Sequence, residues 1–228
     1  MFDGQFRSSV DKAVKPLGDS LRKTRISPDH LTIAGLVIAC GAAVSIALGH
    51  LALGLLLVIL AALPDLLDGA LAKASNTSSQ RGAFFDSVID RVTDSLLLGG
   101  IAWYLAGEES AYVAILPFAV AAASSVISYE RAKAESLGLS AKGGLMERAE
   151  RIIMLCLGLL FPVLLVPILW VMLVLTTVTA LQRFVKVWNQ AAVAPVTAER
   201  IEMRRSRRRS RRAARRTRLT AARRQRRD

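Results

Sequence analysis

The chain has 228 residues, 53% of them hydrophobic, with a mean hydropathy of +0.39 and a formal net charge of +13. That apolar content excludes a disordered body, and two cysteines, Cys40 and Cys156, both inside apolar runs, exclude a disulfide scaffold. The two properties are kept apart: Glu199–Asp228 holds 15 Arg against three acids, a net +12, which leaves +1 for the other 198 residues.

In chain order, Met1–Arg25 has scattered cations and no apolar core run, so it is not a signal peptide. Phe2, Phe6, Val10, Val14 and Leu17 recur every three or four residues, which predicts an amphipathic helix over 1–27 lying on a membrane surface. Ser27-Pro28-Asp29 reads as a break and cap. Six apolar stretches follow, at Leu31–Leu48, Leu51–Leu71, Gly82–Leu105, Ala111–Ala132, Arg151–Leu165 and Pro167–Trp188. Each approaches the ~20 residues that cross a bilayer. Ile152–Val187 also reads as one kinked helix, but its length would overrun the bilayer core, and Pro162 and Pro167 favour two.

Charge placement supports six spans. The loops at Gly49–His50, Gly107–Ser110 and Phe161–Leu165 contain no Lys or Arg, whereas every cationic segment falls on the other side. The positive-inside rule then places both termini in the cytoplasm of a multi-pass cell-membrane protein. The expected fold is an all-α membrane protein, six transmembrane helices over 28–190 preceded by the N-terminal amphipathic surface helix. Residues 191–228 form an Arg-rich cytoplasmic tail, expected to be disordered and to bind anionic membrane lipids. Nucleic acid fits that tract less well, since 200–228 contains no aromatic residue and no zinc-ligand pattern.

Ionisable groups inside spans mark function. Asp65 and Asp68 are spaced i, i+3 and Asp86, Asp90 and Asp94 are successive i, i+4 steps, so each set shares a helix face. The polar segment 73–82 between them predicts a helical hairpin with facing acids. Facing carboxylates need cations to stay ionised. Hard oxygen donors suit Mg²⁺ or Mn²⁺, and two ions bridged by shared Asp side chains is the economical arrangement. An ion or solute transporter is the competing reading of such acids.

The pattern Asp65-x2-Asp68-Gly69-x2-Ala72-Lys73-x8-Gly82-x3-Asp86-x3-Asp90 resembles the signature of the CDP-alcohol phosphotransferases, D-x2-D-G-x2-A-R-x8-G-x3-D-x3-D. Seven of eight fixed positions match; Lys73 stands where the family has Arg and keeps the charge without the two-pronged donor. The resemblance implies attack of an alcohol hydroxyl on the β-phosphate of CDP-diacylglycerol with departure of CMP, two bound Mg²⁺ (or Mn²⁺) ions, and a homodimer. It makes Asp65, Asp68, Asp86 and Asp90 metal ligands and Asp90 the proton acceptor. Gly69 would allow close approach of the nucleotide. Pro28-Asp29-His30-Leu31-Thr32-Ile33-Ala34-Gly35 resembles the family's P-[ND]-x-x-T-x-x-G element, which implicates Asp29, His30, Leu31 and Thr32 in the CDP-lipid pocket, with Lys73 and Ser79 as further contacts. Asp94 lies outside the motif and reads as a helix-pairing or supporting carboxylate rather than a ligand.

Ser128-Tyr129-Glu130-Arg131-Ala132-Lys133-Ala134-Glu135, then Gly143-Gly144-Leu145-Met146-Glu147-Arg148-Ala149-Glu150-Arg151, then Arg183, resemble the actinobacterial phosphatidylinositol phosphate synthases within that family. Arg131 and Lys133 are swapped relative to that pattern, and Ala149 replaces a Pro. Arg131, Lys133, Arg148, Arg151 and Arg183 beside the metal site would suit an acceptor that is itself a phosphate. Inositol 1-phosphate is the acceptor that the resemblance implies, and glycerol 3-phosphate would fit the same charges. The bland alternative is cytoplasmic-face decoration with ion pairs to Glu130, Glu135, Glu147 and Glu150.

Overall fold

A computed structural model describes residues 28–75, 80–109 and 112–192, giving the backbone alone for 28 and 64–75. The expected N-terminal surface helix, Ser79 and the Arg-rich tail lie outside the described residues, as do the side chains of Asp65, Asp68 and Lys73. Within them the chain is all helical: α1 (Pro28–Ala47), α2 (Leu51–Ser75), α3 (Gln80–Glu108), α4 (Ile115–Ser136), α5 (Arg148–Leu160) and α6 (Leu165–Ala191), with a 3₁₀ turn at Pro162–Leu164.

The last two apolar stretches are therefore separate helices. Phe161 leaves helical geometry at φ −121°, ψ 85°, and Pro162 opens the short turn. Pro167 falls in the first turn of α6, where a missing N–H removes no intrahelical bond. The fifth helix starts three residues earlier than the sequence predicts, at Arg148, and ends earlier, at Leu160. Its polar first turn belongs to the helix although the apolar run begins only at Ile152. The fourth begins later than the expected Ala111, at Ile115, and runs past Ala132 to Ser136.

Packing closes the six helices into a ring. Among the described residues the main packing contacts follow the spatial order α1–α2–α5–α6–α4–α3 and back to α1. Within that order α2 and α3 each pack closely on α1. Small residues allow this. A Cβ on Gly54 of α2 would come within 2.5 Å of the Ile46 side chain, and one on Gly100 of α3 within 2.5 Å of the Ala43 carbonyl. Ala39, Ala42, Ala43 and Ile46 form the buried face of α1, at i, i+3, i+4 and i+7. Lipid tails are as apolar as Leu, so such bundles are held by close packing and internal polar contacts.

The outer surface is apolar on all sides, with Val37, Leu56, Trp103, Phe118, Leu157 and Val174 among the exposed side chains. A surface of this kind marks contact with lipid rather than water. Asp29–Ala47 and Pro162–Ala191 are each long and apolar enough to cross a membrane. The α1–α2 turn carries Gly49 at φ +80°, with Gly49 N–H donating to the Ile46 carbonyl and His50 N–H to the Ser45 carbonyl, both at 2.9 Å. These two bonds satisfy the last carbonyls of α1.

The inner seam of α6 reads Leu165, Leu169, Met172, Thr176, Thr179, Arg183, all buried at alternating spacings of four and three. It begins apolar and ends in a guanidinium. On α3 the carboxylates Asp86, Asp90 and Asp94 continue, at the same spacing, into buried Leu97 and Ile101. One end of the ring is therefore polar inside, and it is the end where α1, α3 and α5 begin and α2, α4 and α6 finish.

Candidate active site

Asp90 and Asp94 lie one turn apart on α3 and meet the first turn of α5 across the ring. Arg148 Nη1 is 2.7 Å from Asp90 Oδ1, and its Nε is 3.4 Å from Asp94 Oδ1. Arg151 Nη2 donates to Asp94 Oδ2 at 2.8 Å. A second cation reaches the same carboxylate, with Arg91 Nη2 3.5 Å from Asp90 Oδ2. Arg91 Nη1 also donates to Ser128 Oγ of α4. Arg151 is buried, so its charge requires this pairing.

Arg183 comes in from α6 and is likewise buried. Its Nη2 donates to Glu147 Oε1 at 2.9 Å, its Nε to the Gly143 carbonyl at 2.9 Å, and its Nη1 to the Ile127 carbonyl at 3.4 Å. Three of the five guanidinium donors are committed, which leaves up to two for a ligand. Glu130, Arg131 and Arg151 also act electrostatically on Arg183. Glu147 immediately precedes α5, so the residue that steadies Arg183 adjoins Arg148 in the chain.

The loop from α4 to α5 is moulded onto α6 by two glycines and a threonine. Thr179 Oγ1 accepts from Leu145 N–H at 3.2 Å and Met146 N–H at 3.1 Å, and it donates to the Leu175 carbonyl at 2.8 Å. Gly143 and Gly144 have φ of +93° and +154°, and a Cβ on Gly144 would sit 2.4 Å from Thr179 Cγ2. Gly144→Ala is therefore expected to lower stability by about 1–3 kcal/mol through overpacking. Thermal unfolding in detergent checks this: a lowered midpoint is expected, and an unchanged one would mean that the loop is not pinned here.

The remaining predicted residues fall as follows. Asp86 is half-buried on α3 and makes contacts of its own. Asp29, His30, Leu31 and Thr32 form the first turns of α1 at this same end; Thr32 is buried and His30 exposed. Asp65, Asp68, Gly69 and Lys73 ride on the last half of α2. Arg131 and Lys133 are exposed on α4, and Arg131 Nε pairs with Glu135 Oε1 at 3.2 Å across an open i, i+4 step. That pair is the surface arrangement that the bland reading anticipates for Arg131. Sequence reasoning gave no role to Thr179 or Arg91. Thr179 was readable from its register on the α6 seam; nothing in the spacing of Arg91 distinguishes it.

The donor chemistry fits a divalent cation. Among the described residues no three His, Cys, Asp or Glu side chains gather as a metal set, and the two remaining carboxylates of the motif belong to α2. Asp90, however, already draws guanidinium groups to both of its oxygens, as a strong cation site does. The group is all-carboxylate, the hard oxygen set that Mg²⁺ and Mn²⁺ prefer. Among the described residues, buried Arg91 Nε, Glu130 Oε2 and Glu150 Oε2 have no hydrogen-bond partner, as polar atoms left for a ligand would.

Comparison with known proteins agrees with this chemistry. A phosphatidylinositol phosphate synthase of Mycobacteroides abscessus is 38% identical over 189 residues, covering 78% of this chain and 84% of the relative. The crystal structure of Mycobacterium tuberculosis phosphatidylinositol phosphate synthase with CDP-DAG bound superposes with a TM-score of 0.72 at 30% identity, covering 78% of this chain and 94% of that one. A second structure of that enzyme, in complex with manganese and citrate, gives 0.71 at 30% identity and covers 77% and 88%. The family model for CDP-alcohol phosphatidyltransferase matches residues 25–190. The chain is a membrane-integral phosphotransferase and belongs to the CDP-alcohol phosphatidyltransferase family.

Proposed function

We propose that this protein transfers the phosphatidyl group of CDP-diacylglycerol to inositol 1-phosphate, releasing CMP and phosphatidylinositol phosphate. The observation that carries the acceptor is the cluster of Arg148, Arg151 and Arg183, whose first member touches Asp90 at 2.7 Å. A phosphate held by those cations puts the ring hydroxyls of inositol 1-phosphate beside the carboxylate that takes the proton. The relatives named for the same product support this reading.

The residues divide the work. Asp29–Thr32, Gly69, Lys73 and Ser79 bind the CDP-lipid. Asp65, Asp68, Asp86 and Asp90 would hold two Mg²⁺ ions, which supply neutralisation of the diphosphate and of the leaving CMP. Arg148, Arg151 and Arg183 orient the acceptor phosphate, with Arg131 and Lys133 at the rim. Asp90 receives the hydroxyl proton as the oxygen attacks the β-phosphorus and the bond to CMP breaks. Positioning of this kind accounts for much of the rate of phosphoryl-type transfer. Residues 28–190 form this unit as six membrane spans, with both termini and the site cytoplasmic, working as a homodimer whose 191–228 tail rests on anionic lipid.

An acceptor panel tests the proposal. Protein in detergent receives CDP-diacylglycerol, Mg²⁺ and one alcohol at a time, and CMP release is measured. Inositol 1-phosphate should be fastest and free inositol poor, because inositol lacks the group the arginines bind. Faster release with glycerol 3-phosphate would transfer the assignment to phosphatidylglycerophosphate synthesis. Preference for an unphosphorylated alcohol would refute the basic pocket.

A further inference from the structure

Asp94 stands one turn beyond the signature, and neither the metal site nor the CDP-lipid site uses it. It is nevertheless the point where both arginines of the α5 first turn are tied. Oδ2 accepts from Arg151 Nη2 at 2.8 Å and Oδ1 lies 3.4 Å from Arg148 Nε, with the Asp94 side chain only 12% exposed. α3 and α5 do not pack extensively on each other among the described residues, so these long side chains bridge the two helices. Such a span is easily lost without an anchor, because each arginine has many rotamers. The Nε contact turns the Arg148 fork so that Nη1 meets Asp90.

We infer that Asp94 is a positioning residue for the acceptor: it fixes Arg148 and Arg151 in one register with Asp90, so that the phosphate they hold presents its hydroxyl to that carboxylate. The inference rests on the proposed phosphate-binding role of these arginines and adds a residue that sets their geometry. A carboxylate in this position has a second consequence. It offsets one of two adjacent positive charges, so that the pair persists in a buried site before the phosphate arrives.

Steady-state kinetics separates this from a purely structural role. KM for inositol 1-phosphate and KM for CDP-diacylglycerol are measured for wild type, D94N, D94E, R148A/R151A and D94N/R148A/R151A, with thermal unfolding on each. D94N is expected to raise the acceptor KM by about tenfold, the worth of one charge-assisted hydrogen bond, and to leave the CDP-lipid KM within about twofold. D94E keeps the charge and should recover part of the loss. In the R148A/R151A background D94N should add little, since the groups it acts through are gone. An unchanged acceptor KM in D94N, an equal rise in both KM values, or a full additional loss in the triple variant would each overturn the inference. If D94N proves too unstable to assay, D94E carries the test: an acceptor KM at or above that of R148A/R151A overturns the inference, and a smaller rise confined to the acceptor supports it. An unchanged acceptor KM in R148A/R151A itself would instead overturn the phosphate-pocket reading on which it rests, and the inference with it.

Discussion

Asp90→Asn is expected to lower kcat for CMP release by roughly a thousandfold, the scale of losing a general base, with a further loss from the missing ligand charge. The substitution is isosteric, and an amide oxygen still accepts from Arg148 Nη1, which lies 2.7 Å from Asp90 Oδ1. Arg148 and Arg151 also keep Asp94. The arginine cluster therefore stays in place, and the loss reports on chemistry rather than on folding. Asp86→Asn provides the contrast. It removes ligand charge without removing the proton acceptor, so its deficit should shrink as Mg²⁺ is raised, whereas the roughly thousandfold part of the Asp90→Asn deficit that comes from the lost base should not. Mg²⁺ titrations of single-turnover CMP release distinguish the two. Full turnover in both variants would detach these carboxylates from the reaction.

The parts of this molecule that could be read from sequence are those governed by local rules. Apolar runs bounded by Gly, Pro or charge gave six helices, because each had to bury or expose an apolar surface over its whole length. Boundaries slipped where a helix begins before its apolar face does, as at Arg148-Ala149-Glu150. Hydropathy does not register a polar first turn. The ring order was not legible, since it depends on which small residues meet across space. Gly54 against Ile46 and Gly100 against Ala43 bring α2 and α3 onto α1, and no periodicity announces those pairs. At the site, the signature spacing singled out Asp86 and Asp90 as candidates, and the α5 motif Arg148 and Arg151, and Asp90 and Arg148 lie in contact. The sequence marked Asp94 as a helix-pairing carboxylate but not its partners, because an ion pair between residues 57 apart in the chain is a tertiary fact. The interior position of Arg183 was recoverable in principle. It sits at the next step of the seam that runs through Met172, Thr176 and Thr179.

Arg183→Ala should raise KM for inositol 1-phosphate roughly 10- to 100-fold, the worth of one or two charge-assisted hydrogen bonds, and change the CDP-lipid KM far less. Two roles meet in this side chain and the substitutions separate them. As a loop anchor, Arg183 serves the Gly143 and Ile127 carbonyls and Glu147 through a fork whose geometry a single ammonium cannot reproduce. As a phosphate ligand, it supplies positive charge from the donors left over, and an ammonium can supply that. Arg183→Lys should therefore recover much of the acceptor affinity while unfolding nearly as early as Arg183→Ala. Glu147 softens the structural loss, because its side chain is 36% exposed and water can solvate it once its partner has gone. The comparison requires both KM values and a thermal midpoint for each variant. Equal acceptor KM in Lys and Ala variants would make Arg183 an anchor alone, and the phosphate would then be held by Arg148 and Arg151. An unchanged KM in Arg183→Ala would remove it from the acceptor site altogether.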